Sequence, residues 1–315
     1  MRICVLDDYQ AVAERYADWS SLGPEASVDF ISTPIAPGDA ALRLAPYDVL
    51  VAMRERMAFP EHLLRQLPNL KLLVTTGPRN RAIDLNACNQ LGISVSGTRS
   101  DGALAAELSW ALVMALYKRI PANDADVRAG RWQTNIATSL KGSTLGLIGL
   151  GKLGQRMARF AHAFDMHVVA WSPHLSQERC EPFGVEYVSK HELLQRSDVV
   201  SIHMVLSEST RHIISAPDLD LMKTTAYLVN TSRSGLIDET ALCAALHNAS
   251  IAGAALDVFD HEPITENAAL LRTPNTIVSP HMGYVTEQNY QTYFSDAVAN
   301  IQSWRAGIPL RLLTQ

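Results

Sequence analysis

Residues 145–154 read LGLIGLGKLG, an apolar run that enters three glycines spaced G-x-G-x-x-G and leaves into a helical pattern. Met157, Ala158, Phe160, Ala161 and Phe164 carry that pattern onward. Few backbone geometries use such an arrangement. Gly149 permits a tight turn, Gly151 lets backbone amides approach a pyrophosphate, and Gly154 lets the helix close on the strand. The amino end of the helix, through the amides of Lys152 and Leu153, then faces phosphate charge. A strand–turn–helix of this kind belongs in a parallel sheet covered by helices.

Such a sheet needs companion strands, and the chain offers them on both sides of the turn. Strands are expected at 144–149, 167–171, 199–203, 227–230, 252–256 and 276–279, with helical patterns at 155–164, 191–195 and 239–247 between them. Before the turn, strands are expected at 2–6, 28–32, 47–53 and 70–75, with a helix at 60–67 that starts on Pro60. The expected class is α/β, with two Rossmann-like domains, parallel sheets flanked by helices and a cleft between them. A final helix is expected at 289–304, with no further domain after it.

Residues 101–120 form the longest helical pattern, apolar around most of its circumference apart from Glu107 and the basic end at Lys118 and Arg119. A helix of that kind is buried on several sides, within the monomer or against a second subunit. A homodimer through this region is expected, with Glu107 as a structural hydrogen-bond partner.

Composition excludes several classes. Lys plus Arg number 27 against 32 for Asp plus Glu, a net charge of −5 without a basic cluster, which disfavours nucleic-acid binding. No run of 18 apolar residues occurs, so no membrane-spanning helix is expected, and residues 1–8 read as a buried strand. Cys4, Cys88, Cys180 and Cys243 are scattered without C-x-x-C spacing, which points to a reducing, cytoplasmic compartment and to no disulfide or metal framework. His191-Glu192 and His261-Glu262 fail as H-E-x-x-H because Gln195 and Thr265 stand in the last position. A G-x-S-x-G elbow is absent, so a hydrolase lacks support.

About 20 residues past the glycine turn a dinucleotide fold usually places a carboxylate on the ribose hydroxyls. Ser172 stands there instead. An aspartate would repel a 2′-phosphate; Ser172 removes the repulsion, yet no arginine follows directly to clamp one. NAD and NADP both stay open as the cofactor.

Three further segments put charged or titratable groups just past apolar strands, at the edge where open α/β sheets bind ligands. Residues 229–238 read VNTSRSGLID with Arg233, 256–263 read LDVFDHEP with Glu262, and 278–283 read VSPHMG with His281. Together with T-T-G-x-x-x-x-x-I-D at 75–84 and Ala106-Glu107, this order resembles the D-isomer-specific 2-hydroxyacid dehydrogenases, relatives of phosphoglycerate dehydrogenase and glyoxylate/hydroxypyruvate reductase.

The resemblance implies that residues 1–99 with 287–315 form a flavodoxin-like substrate-binding domain and 100–286 a dinucleotide-binding domain, with the two chain crossings as a hinge whose closure would expel water from the cleft. It also implies a nicotinamide-dependent exchange between a 2-oxo acid and a D-2-hydroxy acid. Arg233 would hold the substrate carboxylate and polarise the carbonyl, His281 would give and take the proton, and Glu262 would fix the imidazole tautomer. Thr231, Ser232, Asp257 and His203 would lie along the cofactor. For Asp257 a buried capping role competes, and for His203 a structural one. Thr76, Gly77 and Pro78 would form a loop whose amides hold the substrate carboxylate, although Pro78 offers no N–H and leaves the amides of Gly77 and Arg79. Arg54 would be a substrate contact or a solvated surface arginine. A phosphorylated substrate would need Arg54, Arg56, Arg79 and Arg81 to converge. The same fold also carries non-enzymatic, NAD(H)-sensing corepressor-like proteins, the competing reading.

Overall fold

A computed structural model describes residues 1–314; Gln315, the last residue of the expected substrate domain, lies outside the described residues. The chain divides into two units, Met1–Asp101 with Val285–Gln315, and Gly102–Tyr284.

The first unit contains β1 (Arg2–Val5), β2 (Ser27–Phe30), α1 (Pro37–Leu44), β3 (Val49–Ala52), α2 (Glu61–Leu64), β4 (Leu72–Thr75), α3 (Leu85–Gln90) and β5 (Ser94–Ser96). Its sheet is parallel in the order β2-β1-β3-β4-β5. β3 (VLVA) and β4 (LLVT) are buried at every position, as strands covered on both faces must be. Asp84 starts α3 by accepting from the Ala87 amide at 2.9 Å.

The second unit contains α4 (Leu104–Lys118), α5 (Ile120–Arg128), β6 (Thr144–Ile148), α6 (Lys152–Ala163), β7 (His167–Trp171), α7 (Gln177–Cys180), β8 (Glu186–Tyr187), α8 (Lys190–Arg196), β9 (Val199–Ile202), α9 (Ala216–Asp220), β10 (Tyr227–Asn230), α10 (Glu239–His247), β11 (Gly253–Leu256) and β12 (Thr276–Val278). The sheet order is β12-β11-β10-β9-β6-β7-β8, all parallel. Alternate residues go to opposite faces: Val199, Val229 and Ala255 meet α4 and α6, whereas Val200, Leu228 and Ala254 meet the layer of α8 and α10. α11 (Glu287–Arg305) belongs to the first unit, where Tyr293, Phe294 and Ala297 are fully buried on its inner face.

β5 and β8 were not expected from sequence; both are short, and their pairing rather than their composition makes them strands. The long helix stops at Lys118 because Arg119 takes a left-handed conformation, φ 50°, before α5 begins. Its inner face buries Ala106, Ser109, Leu112, Val113, Leu116 and Tyr117. Glu107 lies on the exposed side of the helix.

Candidate active site

The glycine turn joins β6 to α6. Gly149 has φ +102°, and a Cβ there would sit 2.5 Å from the His203 carbonyl oxygen. A Cβ on Gly154 would sit 2.2 Å from the Gly149 carbonyl oxygen. Both glycines are therefore demanded by the protein itself. Gly151 is different: a Cβ there would meet nothing within 4 Å, and the residue caps α6 without any side chain to occupy the first-turn amides. Open space over a glycine at a helix start, with the amides of Lys152 and Leu153 beyond it, fits a dinucleotide pyrophosphate.

His203 follows β9 beside this turn. Its Nε2 lies 2.9 Å from Ser201 Oγ, and burial alone pushes the imidazole down to about 4, so the ring is neutral. Its Nδ1 is buried with no partner among the described residues, the kind of orphaned atom a bound group satisfies. Ser172 directly follows β7, the strand beside β6, at the place expected for the ribose contact. The residues present thus fit a nicotinamide dinucleotide.

The loops after β10, β11 and β12 bring three charged or titratable groups together. His281 Nδ1 lies 2.6 Å from Glu262 Oε2, and the other carboxylate oxygen accepts the Phe259 amide at 2.9 Å. Because a carboxylate accepts, Nδ1 carries the hydrogen and Nε2 is left for chemistry. Burial works to raise the Glu262 carboxyl, but the bond to His281, the His281 charge, the Phe259 amide and the Arg233 charge together hold it below its ordinary value. Glu262 therefore feels both other members of the set. Arg233 is partly buried, and its Nη1 donates to the Ser232 carbonyl at 2.6 Å. The Asn230 amide group grips the Arg233 carbonyl at 2.8 Å, closing the turn that aims the side chain.

Several of the residues expected along the cofactor have polar partners within the chain. Thr231 is buried with its hydroxyl 2.6 Å from Ser109 Oγ on α4, so that hydroxyl is occupied within the chain. Ser232 Oγ donates to the Ile202 carbonyl at 2.7 Å, bonding to the end of β9. Asp257 is fully buried; its two oxygens accept the Met282 amide at 2.7 Å and the Gly283 amide at 2.9 Å. The capping alternative is the observed one, and burial raises this carboxyl against those bonds. Asp257 thus holds the turn that carries His281, whose own backbone is left-handed at φ 54°. No feature of the sequence marked Ser109 as the partner of the Arg233 loop.

In the first unit Arg54 and the 76–77 loop do meet. The Arg54 amide donates to Thr76 Oγ1 at 2.8 Å and its Nη1 to the Thr76 carbonyl at 3.1 Å. A Cβ on Gly77 would overlap Arg54 Nη1 at 1.7 Å, so the guanidinium lies over the bare glycine. The Gly77 amide, expected as a free donor, is committed to Thr98 Oγ1 at 2.6 Å. The polar group that lies over the bare face of this loop is therefore the Arg54 guanidinium rather than that amide. Pro78, Arg79 and Arg81 are exposed. Arg56 instead reaches the Asp7 carbonyl at 2.5 Å and stacks over Tyr9, 4.2 Å from its centroid.

A cavity of about 480 Å³ also opens in the first unit among α3, β5 and the C-terminal segment, lined by Leu85, Cys88, Ile93, Val95 and Leu313. Burial, aided by the Asp84 charge, pushes the Cys88 thiol up to about 11, so the cavity supplies no acid or base for neutral-pH chemistry. Among the described residues no group of His, Cys, Asp and Glu could hold a metal, and no helix is long and apolar enough to cross a membrane.

Comparison with known proteins places the chain among relatives. The family described as D-isomer specific 2-hydroxyacid dehydrogenase, NAD binding domain, matches residues 110–283. A glyoxylate reductase from Thermococcus litoralis is 34% identical over 303 residues, 91% of this chain and 90% of that protein. A D-3-phosphoglycerate dehydrogenase from Methanocaldococcus jannaschii is 36% identical over 82% of this chain but only 50% of its own length. An oxidoreductase structure from Ralstonia solanacearum superposes with a TM-score of 0.92 at 39% identity, covering 99% of this chain and 96% of its own.

Proposed function

The chain belongs to the D-isomer specific 2-hydroxyacid dehydrogenase family, and from that premise we propose that Arg233, Glu262 and His281 carry its exchange between a 2-oxo acid and a D-2-hydroxy acid. It is an NAD(P)-dependent oxidoreductase. When bound, the nicotinamide supplies or accepts the hydride. Arg233 pairs with the substrate carboxylate and draws electron density from the 2-oxo group. His281 gives its Nε2 proton to the carbonyl oxygen in reduction and takes it back in oxidation. Glu262 accepts from Nδ1 throughout, which holds the tautomer and stabilises the imidazolium. Arg54, lying over Gly77, presents a guanidinium suited to an anion on the first unit.

The observation that carries this reading is the 2.6 Å Glu262–His281 contact in the field of Arg233. A dinucleotide sensor needs no such dyad. Replacing His281 by Ala should cut turnover roughly 10²- to 10⁴-fold, the usual worth of a positioned acid–base group, while leaving dinucleotide affinity in place. Unchanged turnover would remove the assignment. Inactivity of the native protein on a panel of 2-oxo acids, with tight dinucleotide binding, would favour the sensor.

The protein is further proposed to be a cytoplasmic homodimer through the region 101–120. The four cysteines are free thiols. α4 leaves Leu104, Leu108 and Met114 only partly covered, and Trp132 and Ile136, in the segment after α5, are 76% and 95% exposed. Apolar side chains left uncovered in this way suit a second copy. Light scattering of the native protein beside Trp132→Glu tests it; a monomeric native protein overturns it.

A further inference from the structure

The end of β7 is short of a carboxylate but not of a cation. The loop from Ser172 turns back at once, with the Leu175 amide donating to the Ser172 carbonyl at 3.1 Å. α7 follows, and from it Arg179 Nη1 donates to the His174 carbonyl at 2.9 Å. That bond folds the guanidinium against the loop that begins at Ser172. Arg179 makes no ion pair among the described residues. Its neighbour Glu178 turns to Ser176, whose hydroxyl lowers that carboxyl. The other nearby cation, Lys190, is already 2.7 Å from Asp218. Ser172, His174 and Arg179 therefore leave an uncompensated guanidinium, a hydroxyl and an imidazole at one loop, with no acidic residue in the Ser172 position.

We propose that this loop is a subsite for a ribose 2′-phosphate, with Arg179 as its main cation, and that the protein takes the 2′-phosphorylated nicotinamide dinucleotide in preference to the unphosphorylated one. The inference rests on the reading that the second unit holds such a dinucleotide. An aspartate after β7 would select against the phosphate by repulsion; Ser172 leaves a hydroxyl that donates to it. A guanidinium presents a planar fork to phosphate oxygens and stays charged at every working pH. Sequence spacing hid the residue, because it comes from the following helix rather than from the strand end.

Equilibrium binding, read by quenching of intrinsic fluorescence at fixed ionic strength, tests the subsite without any turnover. NADPH should bind the native protein about tenfold or more tightly than NADH, as one charge-assisted phosphate contact is worth. Arg179→Gln should remove most of that advantage while NADH affinity stays within about twofold. Ser172→Asp should reverse the preference, and adenosine 2′,5′-bisphosphate should compete where ADP does not. Equal or tighter binding of NADH by the native protein overturns the subsite, as does a preference for NADPH that survives Arg179→Gln. Failure of both dinucleotides to bind overturns the dinucleotide reading itself.

Discussion

Thr231 lies with its hydroxyl 2.6 Å from Ser109 Oγ, and this one contact ties α4 to the loop that carries Arg233. Ser109 Oγ also sits 2.8 Å from the Ala105 carbonyl, which can only accept, so Ser109 spends its proton there and Thr231 donates to Ser109. Both hydroxyl residues are buried. α4 thereby braces the loop of Arg233 from behind.

Thr231→Val should loosen that brace. A buried neutral hydrogen bond is worth about 1 kcal/mol, so kcat/KM should fall about fivefold, with dinucleotide affinity unchanged. Thr231→Ser keeps the hydroxyl and should restore the native value. A variant that instead loses dinucleotide affinity at constant turnover would show the hydroxyl facing the cofactor.

The second prediction concerns pH. Glu262 is held below its ordinary carboxyl value, so it stays ionised wherever His281 works. An adjacent anion favours the imidazolium. Glu262→Gln removes that anion, and the alkaline limb of the rate profile for 2-oxo acid reduction should move to lower pH, with kcat down roughly 10²-fold. A profile that keeps its limb in place would mean that Glu262 only packs.

Most strand positions and the motif order were legible because they depend on local pattern. β3 (VLVA) is an unbroken apolar run, β4 (LLVT) and β9 (VVSI) each carry a single hydroxyl residue, and Arg233, Glu262 and His281 each follow a strand that composition announces. What stayed hidden depends on partners far along the chain. Ser109 and Thr231 are 122 residues apart. The Gly77 amide is consumed by Thr98, a threonine like any other in sequence. Asp257 reads as a ligand contact from its motif, yet two backbone amides of the His281 turn claim it.

The two kinds of glycine in the turn can be separated. Gly154→Ala puts a methyl 2.2 Å from a backbone carbonyl that cannot move aside, so overpacking of about 1–3 kcal/mol should lower the melting temperature. Gly151→Ala meets nothing in the protein and should leave stability within about 0.5 kcal/mol. Its dinucleotide affinity should nevertheless fall. Equal affinity for Gly151→Ala and the native protein would show that no ligand approaches there.

His203 predicts an acid-sensitive fold. Burial lowers its imidazole from 6.5 to about 4, so between those values the unfolded chain holds a proton that the native protein does not. Stability is therefore full above about 6.5 and declines as pH falls toward 4, by up to roughly 3 kcal/mol for this group. His203→Gln should flatten that part of the urea-midpoint curve. A native curve that is flat over this range, or unchanged in the variant, would contradict a neutral buried ring.

Asp257 provides the sharpest contrast between two roles. His281 holds a left-handed backbone at φ 54°, a conformation that costs a non-glycine residue about 1 kcal/mol and needs its surroundings to enforce it. The enforcement is the pair of amides, Met282 and Gly283, that Asp257 accepts from beneath the turn. An asparagine has one acceptor oxygen and would turn an NH₂ toward the other amide, so Asp257→Asn should release half the grip and Asp257→Ala all of it. As the turn relaxes, His281 drifts from Glu262, and kcat should fall about tenfold in the first variant and further in the second. Dinucleotide affinity should hold within about twofold in both, because no cofactor contact is removed. A carboxylate that touched the cofactor would produce the opposite split, with weakened binding and native turnover at saturation. Measuring the dissociation constant and the saturated rate on the same preparations decides between them.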